Sequence, residues 1–179
     1  SRNDLQLLAV SHTFPPEAVV EATAAGQRAF GENYLQEALD KQQAVAAAVP
    51  GKHIEWHFIG PIQSNKTRPI AASFDWVHTV DRLKIAQRLS EQRPHGMAPL
   101  NICLQVNISG EISKSGITAA ELTGLARQVA LLPNLRLRGL MAIPEPELEL
   151  ARQSAPFARL RAMFEQLRDD GMEMDTLSM

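Results

Sequence analysis

A strict alternation constrains this chain more than any other feature: seven short apolar runs are separated by six stretches of helical periodicity. The runs cover Gln6–Ser11, Arg28–Gly31, Ile54–Ile59, Trp76–Thr79, Asn101–Asn107, Arg136–Ala142 and Asp175–Met179. The helix-like stretches include Pro16–Ala25, Tyr34–Val49, Ser64–Ser73 and Arg82–Gln92. A fifth opens at Thr118, and the last sets Phe157, Leu160, Phe164 and Leu167 on one stripe. Strands that alternate with helices pair in parallel, because each helix carries the chain back to the start of the next strand. An open doubly wound sheet and a (β/α)8 barrel both satisfy that pattern.

The strand faces separate the two. In Ile54–Ile59, the side chains of Ile54, Trp56 and Phe58 share one face and Glu55 and His57 the other. In Asn101–Asn107, Ile102, Leu104 and Val106 oppose Cys103, Gln105 and Asn107. One apolar face toward helices and a more polar face turned inward suit a barrel whose interior supports a site. An open sheet covered on both sides asks for apolar residues on both. The pattern therefore predicts an α/β fold, a TIM barrel forming one domain over residues 1–179 and lacking its last strand. The start at Ser1 and the stop at Met179, inside an apolar segment, agree with a chain truncated at both ends. Two unpaired sheet edges are then expected, and such edges favour aggregation.

Local signals support the same elements. Gly26 offers a left-handed cap to the first helix, Asp81 an N-cap to Arg82–Gln92, and Thr118 with Glu121 the spacing of a capping box. The formal net charge of −2, with no basic block, argues against nucleic acid as a partner. No apolar run approaches the roughly 20 residues of a membrane span, and no secretory signal is recognisable, so a cytoplasmic location is expected. Cys103 has no second cysteine to pair with and reads as a buried strand residue.

In a barrel, chemistry gathers where strands run out into loops. Those positions hold His12-Thr13, Gly31-Glu32-Asn33, Gly60 to Lys66, His78-Thr79, Asn107 to Ser109, Met141 to Pro144 and Ser178-Met179. Amides, hydroxyls and glycines dominate, and no pair of carboxylates suited to acid–base work stands out. Such a rim suits a small polar ligand held by hydrogen bonds. His12, His57 and His78 lie near strand ends, but we assign no metal, since the strand of His12 is well separated from that of His78. Glu32 either caps the following helix or orients Asn33. Lys41, Lys52 and Lys84 read as surface charges, Tyr34 as a packing residue, and His53 and His95 as exposed.

The segments "LLAVSHTFP", "AGQRAFGENYLQEALDK", "EWHFIGPIQSNKTR", "NICLQVNISGEISKSGI" and "LRLRGLMAIPEP" resemble, in order, the pyridoxal phosphate homeostasis protein family. That family is similar in fold to the barrel domain of alanine racemase. The resemblance implies a protein that binds pyridoxal 5′-phosphate without turning over a substrate. It would buffer or deliver the cofactor and balance amino-acid and keto-acid pools, as a monomer, with cofactor-dependent apoenzymes as further partners. A rival reading is a cofactor-dependent amino-acid racemase or lyase of the same fold, and a third is a non-binding decoy acting through protein contacts.

Residue by residue, the departures fall on the site. The family motif "AVSKTKP" places at His12 the lysine that condenses with the cofactor aldehyde, and Phe14 replaces its second lysine. An imidazole cannot lose water with an aldehyde to give a neutral imine, so covalent binding at His12 is expected to be lost. A retuned non-covalent site and an inactivated one both remain open for His12. Asn33 matches a family asparagine near the cofactor, and Ser178-Met179 match the start of a segment that binds its phosphate. Asn65, Lys66, Lys114 and Met141 are possible secondary residues on the same side. Of these, Lys66 and Lys114 bear the amines that could capture an aldehyde, although contact with anions or solvent is the simpler expectation.

Overall fold

The computed structural model describes residues 5–109, 115–144 and 150–179. Its strands are β1 (Ala9–Val10), β2 (Ala29–Glu32), β3 (Glu55–Phe58), β4 (Trp76–Val80), β5 (Leu100–Gln105), β6 (Leu135–Met141) and β7 (Thr176–Ser178). They form one sheet in chain order, each strand parallel to the next. Among the described residues nothing pairs β7 with β1, so the curled sheet is open between them. The helices are α1 (Pro16–Ala24), α2 (Leu35–Ala48), α3 (Thr67–Ser73), α4 (Leu83–Gln92), α5 (Ala119–Ala130) and α6 (Leu150–Asp169). A short 3-10 turn, Ser64–Lys66, precedes α3.

The strand faces divide as the alternation requires. Phe30, Phe58, Val77, Ile102, Leu104 and Leu140 are buried together with apolar residues of the helices, including Val45, Ile70, Leu89, Leu122 and Leu160. The opposite face carries His57, Trp76, His78, Cys103 and Met141, also buried. Helix stripes behave as periodicity predicts: Leu160, Phe164 and Leu167 are buried on α6, with Phe157 half-buried. Gly26 takes φ 105° after α1. At α5 the Glu121 carboxylate accepts from the Thr118 backbone N–H at 3.2 Å and from its hydroxyl at 2.7 Å. Asp81 does not cap α4. The N-cap is Arg82, and Asp81 instead accepts from its guanidinium at 2.7 Å.

Two irregularities in the sheet change the phase of the side chains that follow them. Between β4 and β5 the register steps from Val77↔Ile102 to Val80↔Leu104, three residues against two. Val80 therefore returns to the core while His78 points inward and the Thr79 hydroxyl donates to the Gly60 carbonyl at 2.5 Å. Between β5 and β6 the register steps from Ile102↔Leu137 to Cys103↔Gly139, leaving Arg138 as the extra residue. A bulge of this kind re-aims the side chain it carries. Arg138 lies over the Trp76 ring, 4.6 Å from its centroid.

Candidate functional site

Position 12 lies two residues after β1, where the chain leaves the sheet. Its ring stands edge-on to Tyr34, with centroids 5.6 Å apart and planes at 89°. Tyr34 is the N-cap of α2 and more than half exposed, so it packs at the start of that helix as one wall beside His12. His12 Nδ1 is buried without a hydrogen-bond partner among the described residues. Thr13 next to it adopts φ 68°, a left-handed conformation costly for a β-branched residue.

A buried ion network holds that strand exit in place. Lys41 on α2 donates to the Ser11 carbonyl at 2.6 Å, to Glu32 Oε1 at 2.7 Å and to Glu37 Oε1 at 2.9 Å. The Ser11 hydroxyl donates to Glu32 Oε1 at 2.7 Å, and the Thr13 N–H to Glu37 Oε1 at 2.6 Å. The hydrogen bond from Lys41 holds the Glu37 carboxyl below the usual carboxylate range. Lys41 is therefore no surface charge, with its side chain 2% exposed. Nor does Glu32 cap α2 or orient Asn33: Lys41 and Ser11 claim one of its oxygens, and the other is buried without a partner among the described residues. Lys52, Lys84, His53 and His95 are exposed as expected.

Asn33 follows β2 half-buried, and its side chain makes no hydrogen bond among the described residues. It lies so close to Gly60 that a Cβ there would overlap the Asn33 carbonyl, so glycine is the residue that lets these two loops meet. Ser178 ends β7 half-buried, and Met179 beyond it is 67% exposed. Met141 pairs in register with Ser178 and packs with Trp76 and Cys103 inside the barrel. Asn65 and Lys66 are exposed on the 3-10 turn after β3, with no side-chain hydrogen bond or ion pair among the described residues. Lys114 lies outside the described residues. A polar cleft of about 110 Å3, lined in part by Asn107, Ser109, Ser115 and Ile143, opens beyond β5 and β6.

The interior holds a chain of contacts that strand-end reasoning missed. His57 Nε2 meets Glu55 Oε1 at 2.8 Å, His57 Nδ1 meets His78 Nε2 at 2.8 Å, and His78 Nδ1 meets Ser178 Oγ at 2.7 Å. His57 stacks on Trp76, with centroids 5.4 Å apart and planes within 9°. Both histidines are thus buried inside the curled sheet, and His78 reaches the rim through Ser178. Burial pushes His57 below its ordinary value, against Glu55 and Asp75, which favour its charged form. Burial, with His57 as neighbour, pushes His78 down to about 3. Two neutral imidazoles bonded to each other result. The sequence signal available was the inward face shared by Glu55 and His57. Burial also pushes the Cys103 thiol up to about 12, as befits an inert packing residue.

The comparisons with known proteins agree with this architecture. Residues 13–179 match the family described as alanine racemase, N-terminal domain. The chain is 68% identical over 173 residues to the pyridoxal phosphate homeostasis protein of Pseudomonas aeruginosa, spanning 97% of this chain and 72% of that protein. PipY of Synechococcus elongatus without PLP superposes with a TM-score of 0.90 at 38% identity, covering 99% of this chain and 82% of that one. The same protein with PLP bound gives 0.88 at 37% identity, covering 98% and 81%. Strand order, the "FGEN" and "HFIG" loops meeting at Asn33 and Gly60, and similarity along nearly the whole chain lead to one conclusion. The chain belongs to the pyridoxal phosphate homeostasis protein family and has the fold of the alanine racemase N-terminal domain.

Proposed function

We propose that this chain binds pyridoxal 5′-phosphate at the strand-exit rim without a covalent bond, and serves cofactor homeostasis rather than turnover of a substrate. The observation that carries the reading is position 12. The resemblance places the anchoring amine there, and the residue present is an imidazole whose buried Nδ1 has no partner among the described residues. A buried polar atom without a partner is costly unless a ligand or water satisfies it. With the Asn33 amide and the Ser178 hydroxyl, the rim offers neutral hydrogen-bonding groups that fit the cofactor's polar substituents. They do not fit the covalent mode, because none of these groups is a primary amine. When bound, the cofactor supplies a reactive aldehyde on an electron-poor ring. The protein's part is to orient it and limit its exposure until a cofactor-dependent apoenzyme takes it up.

The test is to titrate pyridoxal 5′-phosphate into the native chain and a His12→Lys variant, following the absorption spectrum and then treating both with borohydride. The native chain is expected to bind saturably with no trapped adduct at position 12, and the variant to give one. Absence of saturable binding would favour a decoy acting through protein contacts. An adduct trapped on Lys66 or Lys114 would overturn the non-covalent mode, and racemisation of an amino acid would overturn the homeostasis role.

A further inference from the structure

The interior chain Glu55–His57–His78–Ser178 has a direction, and that direction follows from chemistry. A carboxylate only accepts hydrogen bonds, so His57 Nε2 must carry the proton shared with Glu55. A neutral imidazole has one N–H, so His57 Nδ1 is a lone pair and His78 Nε2 must donate to it. His78 Nδ1 is then a lone pair as well, and the Ser178 hydroxyl must donate to it. With both rings neutral, one proton arrangement satisfies all three contacts. The Ser178 proton is committed inward, and its oxygen can only accept from the rim.

A phosphate dianion has only acceptors to offer, and so it needs Ser178 to donate. We propose that Glu55, His57 and His78 form a proton-loaded switch that turns the Ser178 hydroxyl from acceptor to donor, coupling capture of a phosphate ester to uptake of one proton. The inference rests on the reading of Ser178 as part of the phosphate-binding rim. The proton enters at Ser178 from solvent or from a phosphate monoanion. Ser178 passes its original proton to His78 Nδ1, and His78 passes its Nε2 proton to His57 Nδ1. The result is an imidazolium at His57 against the Glu55 carboxylate, a neutral His78 bearing its proton on Nδ1, and a Ser178 hydroxyl free to donate outward. Every donor already points toward Glu55, so the proton moves the way the chain is aligned.

The charged surroundings leave His57 as the place to hold that proton. Glu55 contacts it from β3, and Asp75, before β4, accepts from the Trp56 N–H at 2.8 Å and adds negative potential. Arg138 on β6 is neutralised by a two-pronged pair with Asp175, at 2.8 and 2.7 Å. Cys103 on β5 stays a neutral thiol. Among the described residues His78 faces no carboxylate, and it stays neutral in both states.

The Glu55→Gln substitution separates the switch from the site, because a carboxamide can donate as well as accept and lets the relay reverse without an added charge. Nitrogen chemical shifts of the ligand-free native chain are expected to place the proton on Nε2 of both His57 and His78. Calorimetric titration with pyridoxal 5′-phosphate at pH 8, in two buffers of different ionisation heat, is expected to show about one more proton taken up by the native chain than by Glu55→Gln. The ratio of native to variant dissociation constants should rise about tenfold per pH unit above neutrality. A Ser178→Ala variant should lose the extra uptake too, which keeps the test open if Glu55→Gln does not fold. A ligand-free His78 protonated on Nδ1, or equal uptake by native and variant proteins, overturns the switch. Binding of the cofactor by neither protein overturns the function proposed above, whereas binding without differential uptake overturns this inference alone.

Discussion

Lys41 shows how much one side chain can decide. It sits in the Ala- and Gln-rich "LQEALDKQQ" stretch, where the sequence suggests a surface lysine, yet it is buried with three acceptors around its ammonium group. The reason is not local. Glu32 is wholly buried at the end of β2, and a buried carboxylate requires a cation within reach. Removing that cation should be costly: Lys41→Met is expected to lose about 3–5 kcal/mol, read as a lower urea midpoint, because buried Glu32 then keeps only the Ser11 hydroxyl as a partner among the described residues. Replacing Lys41 and Glu32 together by apolar residues should cost less than Lys41→Met alone, as measured in a double-mutant cycle. His12 is the opposite case. Its identity and place at a strand exit are legible in the sequence, while its unpartnered Nδ1 and its Tyr34 wall are not.

At the level of elements, the two sheet irregularities matter more than strand length. The chain order of β1 to β7 and most strand boundaries lie within a few residues of what alternation predicts. The steps in register at β4 and β6 are invisible to alternation, since each adds one residue without changing composition. They return Val80 and Leu140 to the core side after one extra residue each, so that His78 and Arg138 keep the inward face. Beside the second, Gly139 lies against the backbone of Thr176, and a Cβ there would overlap the Thr176 carbonyl. Gly139→Ala is therefore expected to spread β6 from β7 and cost about 2–3 kcal/mol in urea unfolding. The same change should shift the His78 Nδ1 resonance, because Ser178 sits on the displaced strand.

For the molecule as a whole, the neutral histidine pair makes stability depend on pH. His78 binds its proton with a value of about 3 in the folded chain against 6.5 ordinarily. Between those values the unfolded chain holds more protons, so stability is fully present above 6.5 and falls as the solution is acidified. This group alone should remove about 3 kcal/mol between pH 6.5 and pH 4, measured by urea unfolding. A His78→Gln variant should be less stable at neutral pH and lose most of that slope. The sequence by itself determined the order of strands and helices, the apolar face of each, and the imidazole where the resemblance expects an amine. Those follow from periodicity and from residue identity, which are local properties. Only the tertiary structure decided that Glu55, His57, His78 and Ser178 form one hydrogen-bonded chain and that Lys41 is buried. His78 and Ser178 are 100 residues apart, and contact between them depends on sheet curvature and register, which no local pattern encodes.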